Sequence, residues 1–303
     1  MVKLEVEISS LKLKNPVMNA SGILGLTAYS LEKLAKTGVG AVVTKSIGLN
    51  PRNGNPNPTI VEIECGLLNS MGLPNPGVDE AIKEIEKTLK LVKIPVIVSI
   101  FGFNPDEYFQ VAKKLENLNF SALELNVSCP HEKVGEIGQN MEVLAEVVKK
   151  VKTVTKKPIF VKLTPNVSNI GEIAKVAVEA GADAITAINT VKAMVIDIET
   201  GKPVLGGIVG GLSGLAIKPI ALRCIYEIFK EIKAPIIGCG GISNWMDAVE
   251  FFMAGASAIQ IGTAILHKNL KVFREIIRGL NNYLRRKNIK NIGEIVGLAH
   301  KNF

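Results

Sequence analysis

Eight short, almost continuously apolar segments recur along the chain in two strictly alternating types, and this cadence limits the fold more than any single motif does. One type opens on Lys-x-Pro before a buried-strand run: KNPVMNAS from Lys14, KIPVIVSI from Lys93, KKPIFVKL from Lys156 and KAPIIGCG from Lys233. Proline is tolerated at the first position of a strand, where no ladder donor is lost. The other type is GVGAVVTKS from Gly38, FSALELNVS from Phe120, GADAITAINT from Gly181 and GASAIQIGTA from Gly255. In three of these a glycine ends the preceding helix, and in all four a small residue and alanine lead into the strand. Amphipathic stretches lie between the segments, as from Ser168 to Ala180, where Ile170, Ile173, Ala174, Ala177 and Val178 share one face.

Apolar strands that alternate with helices indicate a parallel sheet, and eight of them in about 250 residues match a closed (β/α)8 TIM barrel. The expected fold is therefore α/β, with an N-terminal hairpin over roughly Lys3 to Leu13 added to the barrel. An open doubly wound sheet would need an early GxGxxG turn, which the sequence lacks. With 303 residues and 47% hydrophobic content, the simplest organisation is one domain spanning 1–303. Apolar runs are short and broken by Lys, Gly or Pro, and the N-terminus alternates like a strand, so neither a membrane span nor a signal peptide is expected. Cys65, Cys129, Cys224 and Cys239 form no CxxC pair. That spacing argues against a metal or iron–sulfur site held by this chain alone and fits a reducing cytoplasm. The net charge of +8 comes from lysines scattered along helix faces, with one dense run from Arg285 to Lys287 at an expected helix end. Such a distribution suggests solvated faces rather than a nucleic-acid surface, while its field favours an anionic substrate.

In barrels of this kind the active site lies at the C-terminal strand ends. Here the strands end in Asn19 and Ser21; Lys45 and Ser46; Ser99; Asn126 and Cys129; Lys162 and Thr164; Asn189 and Thr190; Gly240 and Gly241; and Gly262 and Thr263. Cys129 is flanked by hydrogen-bonding residues and followed by Pro130, His131 and a glycine-containing loop, a setting for chemistry rather than packing. Two long connections, from Gly48 to Gly77 and from Val191 to Gly214, are expected to form lids or substrate-binding segments, with Ile60 to Ile63, Leu67 and Leu68 as apolar anchors. GGLSG, GCGGI and IGTA supply glycines that let backbone N–H groups approach an anion, so a phosphorylated ligand is expected. Lys162 and Lys45 would suit the edge of a reduced flavin; a salt bridge or a Schiff base are the other roles open to them. Asn69, Asn126 and Asn189 suit a ring with alternating C=O and N–H groups, such as a pyrimidine, although Asn69 and Asn75 could equally be turn residues. Cys65, Cys224 and Cys239 read as structural, and His267 and His300 as surface residues.

NASG at Asn19, TKS at Thr44, NSMGLPNPG at Asn69, ELNVSCP at Glu124, VKLTPNV at Val161, NT at Asn189 and the closing glycine motifs together resemble the dihydroorotate dehydrogenase family over nearly the whole chain. The resemblance implies an FMN-containing barrel, one FMN per chain, that oxidises dihydroorotate to orotate in pyrimidine synthesis. It implies Cys129 as the base for the C5 proton while a hydride leaves C6 for flavin N5. Substrate would be held by Lys45, Asn69, Ser70, Met71, Gly72, Leu73, Asn126, Asn189 and Thr190. FMN would be held by Ser21, Lys45, Ser46, Ser99, Asn126, Lys162, Ile188, Gly214, Gly240, Gly241, Gly262 and Thr263. Ser99 departs from the asparagine common in relatives. A cysteine base and no added N-terminal helical segment point to the soluble class. The chain start and GLNPRNGNPNP resemble the NAD-linked type, which implies a partner subunit carrying FAD and a [2Fe–2S] cluster, in a heterotetramer of two plus two around a homodimer core. Rival readings are the fumarate-linked homodimer, a dihydropyrimidine dehydrogenase-like enzyme acting on uracil, a flavin-free phosphate-binding barrel, and a scaffold subunit without chemistry.

Overall fold

The computed structural model describes residues 2–127 and 137–301. In chain order the strands are β1 (Val6–Ile8), β2 (Leu11–Leu13), β3 (Val17–Asn19), β4 (Val42–Val43), β5 (Ile60–Ile63), β6 (Gly66–Asn69), β7 (Val96–Ile100) and β8 (Ala122–Asn126). They continue as β9 (Ile159–Leu163), β10 (Ala184–Ala187), β11 (Val191–Ala193), β12 (Ile196–Asp197), β13 (Lys202–Pro203), β14 (Gly210–Ser213), β15 (Ile236–Cys239) and β16 (Ala258–Ile261). Eight of them form one sheet in the order β3-β16-β15-β10-β9-β8-β7-β4, and these are the eight segments of the sequence cadence.

The barrel closes between β3 and β4 through a seam that is only partly a backbone ladder. Gly40 N–H donates to Val17 C=O at 2.8 Å, and Met18 and Ala41 form a single bridge. Beyond it the Asn19 side chain takes over: its Nδ2 donates to Val43 C=O at 2.8 Å and its Oδ1 accepts from Val43 N–H at 2.9 Å. Asn19 is thus a fully buried structural crosslink, not a rim ligand.

Because strand side chains alternate between faces, every second residue points into the barrel, and the interior is built in layers. The lowest layer joins Met18, Val43, Ile97, Ala122, Phe160, Ala184, Ile237 and Ala258, and Ile8 and Leu13 of the N-terminal hairpin plug it from below. Two residues further on, the inward positions are Ser99, Glu124, Lys162, Thr186, Cys239 and Gln260, all buried. Outward-facing residues such as Val98, Leu123, Leu125, Val161 and Ile259 pack under the helices in a single large apolar shell. Four of the helices start on asparagine caps: Asn104, Asn140, Asn169 and Asn244 each accept a backbone N–H of the first turn. His300 differs from its expected surface position. It is half-buried, stacked on Tyr226 with ring centroids 3.9 Å apart, and its Nε2 is 2.9 Å from Ala254 C=O.

The two long connections are not simply loops. They pair as a second, antiparallel sheet in the order β11-β14-β6-β5, in which Asn69 lies opposite Gly211. Leu68 is its buried anchor, whereas Ile60 is half exposed at 50% and so does not anchor the segment.

Candidate active site

A cavity of about 640 Å3 opens at the C-terminal ends of the barrel strands, beside the second sheet. Its volume is that of pockets built for cofactor-sized ligands. Ser21, Lys45, Asn126, Lys162 and Ile188 line its floor and walls. Gly214, Gly240, Gly241, Gly262 and Thr263 line one side, and Asn69, Met71, Gly72, Leu73, Asn189 and Thr190 line the other. Ser46, Ser70 and Ser99 do not line it. Ser70 is fully buried, with its backbone N–H donating to Thr59 C=O at 2.8 Å, and among the described residues its hydroxyl has no partner. Cys129, with its neighbours Ser128, Pro130 and His131, lies outside the described residues.

Lys162 is 4% exposed, and its ammonium donates to Gln260 Oε1 at 3.0 Å and lies 3.5 Å from Ser21 Oγ. Register places it beside Asn126 on β8 and Thr186 on β10. Asn126 is held from behind, where Tyr108 O–H donates to its backbone carbonyl at 2.8 Å. Its amide accepts from Asn189 Nδ2 at 3.1 Å and donates to Ser46 Oγ at 3.0 Å. Asn189 Oδ1 in turn accepts the Thr190 N–H at 2.8 Å. Asn69 is therefore not a turn residue: it ends β6, and its Nδ2 donates to Gly211 C=O at 3.2 Å. Asn75 is the structural one, since its side-chain oxygen accepts from Gly48 N–H at 3.1 Å and Gly77 N–H at 2.9 Å.

The turn at Gly240 and Gly241 requires glycine. Gly240 and Gly241 have φ of +123° and +79°, and a Cβ on Gly241 would stand 2.8 Å from Lys218 backbone atoms. The turn that follows is fastened by Asp247, whose Oδ2 accepts from Ser243 N–H at 2.9 Å, Ser243 Oγ at 2.8 Å and Asn244 N–H at 3.1 Å. Its Oδ1 takes the Lys218 ammonium at 2.9 Å. Burial alone would raise the Asp247 pKa, but the bonds from Lys218 and Ser243 and the Lys218 charge together hold it below the usual carboxylate range.

Several residues of the site had no role in the sequence reading. Gln260 lines the cavity, and Glu124 and Thr186 sit beneath it. The usable signal was a polar residue inside an otherwise apolar strand run, as in ALELN, AITA and AIQI. Cys239, read as structural, also lines the cavity; burial pushes its thiol pKa up against the pull of Lys162, with Glu124 adding to the rise. It is consequently a neutral, inert wall. Glu62 and His267, 3.7 Å apart, mark the cavity's outer edge.

A family model described as dihydroorotate dehydrogenase matches residues 3–284. The catalytic subunit of dihydroorotate dehydrogenase B (NAD(+)) from Pyrococcus furiosus is 50% identical over 302 residues, covering 99% of this chain and all of that protein. The corresponding catalytic subunit from Methanocaldococcus jannaschii is 48% identical over 303 residues, covering 98% of each. The crystal structure of DHODH in complex with ferulenol from Eimeria tenella superposes with a TM-score of 0.85 at 24% identity, over 98% of this chain and 89% of that one, a likeness of fold.

Proposed function

The chain belongs to the dihydroorotate dehydrogenase family, and from that premise we propose that it oxidises dihydroorotate to orotate in pyrimidine biosynthesis as the FMN-bearing catalytic subunit of an NAD-linked enzyme. The observation that carries this reading is a buried ammonium, Lys162, set beside the Asn126–Asn189 amide pair in a cavity with a glycine-lined wall.

These residues fit FMN. The turn at Gly240 and Gly241, with Gly262 and Thr263 beside it, offers close backbone approach to a phosphate where a side chain would intrude. Ser21, Lys45, Asn126, Lys162, Ile188 and Gly214 would surround the rest of the cofactor, with Ser46 and Ser99 supporting Asn126 from behind. FMN bound there supplies the acceptor for the hydride that leaves C6 of the substrate. Lys162 offers a fixed positive charge, which favours a ligand that gains negative charge. Substrate would lie against Lys45, Asn69, Met71, Gly72, Leu73, Asn126, Asn189 and Thr190, with Ser70 behind that loop; amides at three of these positions can each donate to carbonyl or carboxylate oxygens. Cys129 is assigned as the base for the C5 proton. A thiolate is the form that accepts a proton, so turnover should rise with pH through the Cys129 titration. The sheet of β11, β14, β6 and β5 beside the cavity would exclude water from the reacting atoms.

Electrons would leave through a partner subunit carrying FAD and a [2Fe–2S] cluster, in a heterotetramer of two plus two around a homodimer core. Cytoplasmic location is part of the same reading. Among the described residues no helix is long and apolar enough to cross a membrane.

Anaerobic titration of the purified yellow protein with dihydroorotate tests the assignment, with dihydrouracil as control. Flavin bleaching by dihydroorotate alone is expected, and Cys129→Ala should slow it by roughly 100-fold or more. Bleaching by dihydrouracil instead would move the substrate to uracil chemistry. A protein that stays colourless with added FMN would end the flavin reading.

A further inference from the structure

A polar layer forms the floor of the cavity, and in it hydrogen bonds converge on one fully buried carboxylate, Glu124. Two arms reach it. On one side Lys162, which can only donate, gives a hydrogen bond to Gln260 Oε1 at 3.0 Å, and this turns the other end of that amide, Nε2, onto Glu124 Oε2 at 2.6 Å. Thr186 Oγ lies 3.2 Å from the same oxygen. On the other side Ser99 Oγ donates to Glu124 Oε1 at 3.2 Å. Having given its one proton there, Ser99 must accept from Ser46 Oγ at 3.0 Å, and Ser46 must then accept from Asn126 Nδ2 at 3.0 Å. That settles which way the Asn126 amide faces: its Oδ1 receives Asn189 Nδ2 at 3.1 Å, while Asn189 Oδ1 receives the Thr190 N–H at 2.8 Å.

We propose that Glu124 is a positioning residue that sets the donor direction of the Asn126–Asn189 pair through Ser99 and Ser46, and offsets the Lys162 charge through Gln260. The inference rests on the function proposed above. Both arms run toward an acceptor, so the carboxylate is the anchor of their polarity; a group able to donate to Ser99 lets that arm reverse. With both asparagine oxygens engaged inside the network, the pair is weighted toward donating. It therefore selects a ligand edge of carbonyl or carboxylate oxygens over one of N–H groups. Lys162 and Glu124 also make the layer neutral in sum, so the field at the cofactor is smaller than a lone buried ammonium would give.

The test uses the holoprotein and two readouts besides turnover: the orotate Kd, read from perturbation of the flavin spectrum, and the midpoint potential of bound FMN. Glu124→Gln keeps the shape, removes the charge and can donate to Ser99. It should raise the orotate Kd at least tenfold and shift the potential to a more positive value, because a negative charge near the cofactor is lost. Ser99→Ala breaks only the asparagine arm, so it should raise the orotate Kd about five- to tenfold and leave the potential unchanged. Should Glu124→Gln fail to retain FMN, the small Ser99→Ala truncation decides. Wild-type affinity in Ser99→Ala, or wild-type Kd and potential in Glu124→Gln, overturns the proposal. A wild-type protein that dihydroorotate does not bleach ends the functional reading instead, whereas a responsive wild type with unaffected variants ends only this inference.

Discussion

Asp247 joins the glycine side of the cavity to the helix at Trp245–Ala254 through five hydrogen bonds from Lys218, Ser243 and Asn244, counting two from Asn244. Its lowered folded pKa fixes the sign of a pH effect. A depressed carboxylate contributes stability that is fully present above its unfolded pKa and is lost as the pH falls through the folded value. Thermal unfolding followed from about pH 6 down to about pH 3 should show this loss, and Asp247→Asn should flatten that portion of the curve. The same substitution should cost roughly 2 kcal/mol at neutral pH and weaken FMN retention, because a neutral amide cannot replace the carboxylate on Lys218 and the Ser243 turn together. An unchanged acid limb would show that Asp247 does not titrate with unfolding. Elsewhere, Cys224 is pushed up to about 11 by burial, opposed by Arg223, and so stays protonated and unreactive at neutral pH. Residue by residue, the cavity lining was readable where a polar side chain ends a strand, as at Lys45, Asn126, Lys162 and Asn189. Ser46, Ser99 and Asn19 carry the same polar signal but are spent on buried partners in other strands, and one sequence does not tell which rim side chain reaches the cavity.

At the level of elements, the barrel's weak point is its seam. Between β3 and β4 one asparagine amide does the work of two ladder bonds. Replacing Asn19 with leucine would leave the buried Val43 N–H and C=O without those partners, and a loss of about 2–4 kcal/mol is expected in denaturant titrations. A loss below about 0.5 kcal/mol would mean that the seam closes without the side chain. The eight barrel strands were legible because each is an apolar run behind a helix end or a strand-opening proline. The second sheet was not. Its strands are three or four residues long where they cross the connections, with sequences such as IVEI, GLLN and GGLS. The pairing that joins the two connections into one sheet comes from partners some 140 residues apart, with Asn69 opposite Gly211, so no local periodicity announces it.

For the molecule as a whole, the proposed electron path gives a separation that can be measured. Without its partner, the chain should be reduced by dihydroorotate but form no NADH from NAD; adding the FAD and iron–sulfur subunit should restore NADH formation. Direct NADH production by the isolated chain would remove the need for that partner. The alternation of strand and helix, together with the polar residues at the strand ends, determined the barrel and the end at which the cavity opens, because periodicity and burial are local properties of the chain. Only the tertiary structure decided how the interior is layered: Ser99, Glu124, Lys162, Thr186, Cys239 and Gln260 meet because the register of the closed sheet brings six separate strands to one level. The hydrogen-bond direction of that layer depends on partners from different strands at once, and such a many-body constraint is written in no single stretch of sequence.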